Sequence, residues 1–244
     1  MQRLPYCGSP PDPGDLLYRF NLDPRLIAAL LLLVVVHIVW LARPGTRRYA
    51  AIGWTVTAFA LISPLCALSV ALFSARIAQH MLLILVAAPL VALALPGPRR
   101  GNHALWTHAV VFFALLWFWH MPAPYDATFA SSAVYWGMHI SLFASAVVLW
   151  RELLQHRPDG TVEALAVGAV TSMQMGLLGA VLALATHPLF SWHLTTTAVW
   201  HLTTLQDQQL GGTIMWVPGV ALFLWAAMRS LARLIASPRK ATRA

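Results

Sequence analysis

Three histidines in this chain stand beside methionines: His80-Met81, His120-Met121 and Met138-His139. Imidazole and thioether together suit copper, and the thioether in particular suits Cu(I). For such residues to hold an ion they must converge from different elements, each ring fixed through its second nitrogen. The elements that carry the 10 histidines of the chain therefore decide what the pattern can do.

Those elements are membrane spans. Of 244 residues 59% are apolar and 10% charged, against about 25% charged in a soluble domain. The 11 tryptophans suit two interfacial belts. The expected fold is an all-α integral membrane protein with seven transmembrane helices, near 24–42, 50–70, 76–95, 104–120, 132–151, 162–186 and 209–235. Residues 1–23 form an extracytoplasmic arm rich in proline, and 236–244 a basic tail. Pro64, Pro89 and Pro218 fall inside spans, where they are expected to kink the helix. Gly168, Gly176 and Gly179 allow close packing of the sixth span.

Charge sets the orientation. Arg43, Arg47, Arg48, Arg99, Arg100, Arg151, Arg157, Arg229, Arg233, Arg239, Lys240 and Arg243 share one side, leaving Arg3, Arg19, Arg25 and Arg76 on the other. The positive-inside rule places the N-terminus outside and the C-terminus in the cytoplasm. The net charge of +8 thus reports topology, and a nucleic-acid partner is rejected.

With this topology His80, His120 and His139 lie on three helices near the outer surface, and Asp207 opens the last span at similar depth. A bundle core can bring such residues together. They form the candidate metal site, with Met81, Met121, Met138, Cys66 and His187 as further candidates. The competing reading of each histidine is an interfacial hydrogen-bonder, and that reading weighs more for His193 and His201 in the outer connection. A hydrogen bond to a neighbouring helix accounts for His37 at mid-depth. His103, His108 and His156 face the cytoplasmic side. Methionine also packs apolar cores, and Asp207 could equally N-cap the last helix. Cys7 and Cys66 could form a disulfide. Alternatively, Cys66 is a small buried hydrophobe or a thiolate ligand for Cu(I), and Cys7 an exposed thiol contact.

Several stretches together resemble the multi-spanning CtaG family of cytochrome c oxidase assembly factors. Asp207-Gln208-Gln209-Leu210-Gly211-Gly212-Thr213-Ile214-Met215-Trp216-Val217-Pro218-Gly219 is similar to its DQQLGG-x-x-MWVPG signature. Trp119-His120-Met121-Pro122-Ala123-Pro124-Tyr125-Asp126 resembles its WH-x-P-x-x-YD. Gln79-His80-Met81-Leu82-Leu83, followed by Ala88-Pro89-Leu90, is a third match, and the stretch around His139 a weaker fourth. The resemblance runs from about Ser74 to Arg233. One departure stands out: where many members carry a second histidine one turn before His80, this chain has Arg76, which could hold a carboxylate such as Asp207 or a partner's acidic group. The resemblance implies a multi-pass protein of the bacterial cytoplasmic membrane that assists assembly of a haem–copper oxidase. Haem–copper oxidase subunits and an external copper donor are the partners expected, besides the lipid bilayer, with copper as cargo.

Rival readings are a haem-binding membrane electron carrier, using two histidines as axial ligands, and a copper transporter. Lys240 is the only lysine, so a retinal Schiff base is excluded, and no H-E-x-x-H zinc protease motif occurs. The chain is not expected to be an enzyme.

Overall fold

A computed structural model describes residues 4–97, 103–156 and 158–236. Arg3, Arg99, Arg100, Arg157, the side chain of His103 and the tail after Ala236 lie outside the described residues. The described residues are helical without strands. The helices are α1 (Pro24–Val36), α2 (Arg47–Ile62), α3 (Leu65–Ala71), α4 (Phe73–Met81), α5 (Ala88–Ala94), α6 (His103–Trp119), α7 (Pro122–Ala130), α8 (Ser132–Gln155), α9 (Thr161–Ala183) and α10 (Thr204–Ala236). Five helical stretches are long and apolar enough to cross a membrane, and up to seven if each of two bent pairs counts as one.

The breaks follow from proline. Pro64 cannot continue α2, and the chain bends 47° into α3. Pro122 ends α6 and starts α7 at 71°. The segment expected as a loop after His120 is thus a helix, because proline suits a first helical turn and extended Met121 precedes it. Pro89 lacks the N–H that Leu85 would receive, and a π turn over Leu82–Ala87 joins α4 to α5. Pro218, by contrast, lies within the unbroken α10.

The span from α4 to α5 is central, with 67% of its most apolar window buried, against 17% for Pro24–Leu41. α8 packs on α5 and α6, and α10 packs on α4 and along α9. The α9–α10 seam is close: a Cβ at Gly212 would meet the backbone of Ala183, and one at Gly179 the backbone of Trp216. Large apolar side chains such as Leu31, Leu32, Trp40, Val217 and Trp225 face outward, as in a chain whose surroundings are lipid.

The arm before α1 is built into the fold. Asn21 donates its backbone N–H to the Ile62 carbonyl at 2.8 Å. The Tyr6 hydroxyl donates to Asp23 at 2.7 Å. That bond, followed by the Arg25 amide, holds the Asp23 carboxyl below its ordinary range. Cys7 and Cys66 are joined as a disulfide. Neither residue therefore offers a thiolate in this state, and Cys7 is half-buried rather than exposed.

Candidate metal centre

α4, α6 and α8 each deliver one histidine to the same place. The His80 ring centroid lies 5.2 Å from that of His139 and 5.6 Å from that of His120, both edge to face. All three are buried. His120 ends α6, where its Nδ1 donates to the Leu116 carbonyl at 2.7 Å. His139 does the same about two turns into α8, with Nδ1 donating to the Tyr135 carbonyl at 3.0 Å. Each bond fixes a tautomer whose Nε2 presents a lone pair.

Those lone pairs lack donors. His120 Nε2 and both nitrogens of His80 have no partner. His139 Nε2 faces Gln79 Oε1 at 3.4 Å, while the Gln79 amide N–H is committed to the Ala60 carbonyl at 2.7 Å. Two acceptors therefore confront each other across that contact. A buried polar group without a partner costs about 1–3 kcal/mol, so this arrangement disfavours the fold unless something else uses it. Among the described residues, no three His, Cys, Asp or Glu side chains stand at metal-coordinating separations. The rings touch without enclosing an ion, and side-chain rotation would be needed to close on one.

The other candidates lie elsewhere or are already engaged. Asp207 does not cap its own helix. Thr203 does, in a reciprocal pair: Thr203 Oγ1 accepts from Gln206 N at 3.2 Å, and Gln206 Oε1 from Thr203 N at 2.9 Å. This cap starts α10 before residue 209 and turns Asp207 inward, fully buried, onto the N-terminus of α4. There its carboxylate accepts from Phe73 N at 2.6 Å, from Ser74 N at 3.1 Å and from the Ser74 hydroxyl. Met81 and Met138 pack in the apolar core and Met121 is half exposed. His187 is exposed in the connection before α10.

Arg76 stands one turn before His80, fully buried, and it does not pair with Asp207. Its Nε donates to the Ser69 carbonyl at 3.2 Å and Nη1 reaches Thr128 Oγ1 at 3.5 Å. The guanidinium lies 4.4 Å from the Phe129 ring centroid and 5.4 Å from that of Tyr135. No carboxylate among the described residues bridges to it. Asp207 is consumed by the α4 terminus, so aromatic faces carry the cation instead.

His193 is a scaffold residue. Its Nδ1 donates to the Ala71 carbonyl at 3.2 Å and its Nε2 accepts from the Tyr125 hydroxyl at 2.8 Å. Burial, followed by the Arg76 cation, pushes its pKa down to about 3. Asp126 accepts from the Ser191 hydroxyl at 2.5 Å and ties α7 to the same connection. His201 is exposed and takes a left-handed φ of 57°. His37 accepts from the Trp54 indole at 2.9 Å, the inter-helix bond expected of it. Gln79 and Tyr135 also adjoin the cluster, and residue type and spacing mark neither as a site neighbour. Gln79 adjoins His80 within a recognisable motif, the one signal that could have found it.

The fold and this cluster define a helical multi-pass membrane protein with a buried, acceptor-rich histidine group at one end. A family model for the cytochrome c oxidase caa3 assembly factor (Caa3_CtaG) matches residues 41–237, most of the chain. The protein belongs to that family, as the signatures at His80, His120 and Asp207 led us to expect. Comparison with curated proteins and with solved structures gives no match.

Proposed function

We propose that this assembly factor serves its oxidase by receiving copper at His80, His120 and His139 and passing it to an oxidase subunit. The transfer belongs on the extracytoplasmic side, a reading supported by the excess of basic residues at the opposite end of the spans. The supporting observation is the convergence of unpartnered imidazole nitrogens from three helices. Lone pairs with no proton donor are what a soft or borderline cation requires. The role is non-catalytic, with an external copper donor and the oxidase as partners. Seven spans, with the N-terminus outside, is the topology that goes with it.

The rivals have less support. Rings in edge contact leave no slot for a porphyrin between His80 and either neighbour. On the far side of the cluster the core is apolar, with Ile84, Leu85, Ala88, Phe112, Leu149 and Phe223, so a polar path does not continue across.

Metal analysis of purified wild type, His80→Ala and His139→Ala tests the site. Copper should accompany wild type and fall at least tenfold in both variants. Equal copper in all three would remove the proposal. Independently, deleting the gene should lower oxidase activity most strongly in low copper.

A further inference from the structure

The histidine cluster is sealed, yet a cargo must enter and leave it. His80 and His139 are 1% and 3% exposed. What lies against His139 is Tyr135, itself 1% exposed, whose ring centroid is 4.2 Å away. What lies against Tyr135 is the N-terminal arm. Tyr6 stacks on Tyr135 at 5.0 Å and meets Trp136 edge-on at 5.0 Å. The Tyr135 hydroxyl is 3.4 Å from Cys7 Sγ and 3.8 Å from Cys66 Sγ. The disulfide, the tyrosine and the histidine thus form one stack leading from the arm to the cluster.

We propose that the Cys7–Cys66 disulfide is a thiol-operated latch on this stack, and that reduced Cys66 is the soft ligand through which Cu(I) reaches the histidines. This rests on the copper reading above. The latch is the covalent part of the arm's attachment. Its companions are the Tyr6 ring contacts and three Asn21 bonds, from its N–H to Ile62 O, from Nδ2 to Leu61 O at 3.2 Å and from Nδ2 to Cys66 Sγ at 3.6 Å, with the Tyr6–Asp23 bond bracing the arm internally. An external dithiol protein supplies two electrons and two protons. The S–S bond breaks, two thiols form, and the donor leaves as its own disulfide. Cys7 then departs with the arm, while Cys66 stays on α3, completely buried and beside Tyr135. Binding Cu(I) displaces the Cys66 thiol proton, and the resulting thiolate is a soft donor separated from His139 by the Tyr135 ring. A latch of this kind would admit copper only where a reductant keeps it monovalent.

The test uses the full chain in detergent, prepared with the disulfide intact or reduced anaerobically and freed of reductant. Cu(I) is offered as its bicinchoninate complex, and transfer is followed by loss of the complex's colour. Reduced wild type and Cys7→Ser should load at least tenfold faster than the disulfide form. Cys66→Ser, whose arm is equally free, should load as slowly as the disulfide form. Equal rates for oxidised and reduced wild type would overturn the latch, and equal rates for Cys7→Ser and Cys66→Ser would overturn the ligand role. The oxidised and reduced wild type share one sequence, so a poorly folding variant does not blunt the comparison. If no form takes copper in either redox state, the histidine reading itself fails. If all forms take it equally, the latch and the Cys66 ligand role fail together while the histidine reading stands.

Discussion

Two polar groups sit at the same end of the bundle and are built in opposite ways. Around Asp207, His193 and Asp126 every principal contact is closed: carboxylates accept from amides and hydroxyls, and His193 uses both ring nitrogens. In the His80 cluster both His80 nitrogens and His120 Nε2 are left open. The first group stitches α10 to α4 and the 187–203 connection to α3 and α7. The second stitches nothing and is paid for by the first. Motif residues thus divide into those that hold the architecture and those that the architecture leaves unpartnered, and hydrogen-bond closure separates them.

The sharpest way to break this division is Asp207→Ala. It leaves three buried donors at Phe73 and Ser74 without an acceptor and should destabilise the protein by about 3 kcal/mol or more, measured by reversible unfolding in mixed micelles. An undiminished stability with lost copper would instead make Asp207 a ligand.

Next in size is His193→Gln, expected to cost about 2 kcal/mol through its two bonds. It also carries a pH signature. His193 is neutral in the folded protein down to about 3, whereas an unfolded histidine protonates near about 6.5. The unfolded chain therefore binds the extra proton in that window, and wild-type stability falls as pH drops below about 6.5 while being fully present above it. The variant should show a shallower acid slope between those limits, and an unchanged slope would assign the acid sensitivity elsewhere.

The smallest expected effect is the most telling. His80→Leu replaces two unpartnered nitrogens with an apolar side chain of similar bulk, so stability should stay within about 1 kcal/mol of wild type or rise, with copper lost. A large destabilisation would place His80 with the scaffold.

The same divide separates what is legible in the sequence from what is not. The long apolar helices were legible because apolar runs of this length have few alternatives in water, and the convergence of His80, His120 and His139 followed from counting along them. Gly179 was legible as a packing residue in the same way. What escaped is tertiary. Nothing local to Asp207 says that it caps another helix, because the signal of a cap lies in neighbouring residues and here the capped terminus is Phe73. Thr203 and Gln206 did carry a local signal, the T-x-x-Q spacing, and it correctly starts the helix earlier than hydropathy does. α7 was hidden by two prolines that usually mark loops. Arg76 looked like a partner for Asp207 because charge is visible in a sequence and the faces of Phe129 and Tyr135 are not.

α10 has one more consequence. Its 33 residues make a rod of about 50 Å at 1.5 Å per residue, against a hydrocarbon layer of about 30 Å. Part of that rod must stand clear of the lipid or cross it at a slant. Asp207 near one end is clamped to α4, and Arg229 near the other grips the Leu154 carbonyl at 3.1 Å. One helix therefore ties the terminus of the segment that carries His80 to the opposite end of α8.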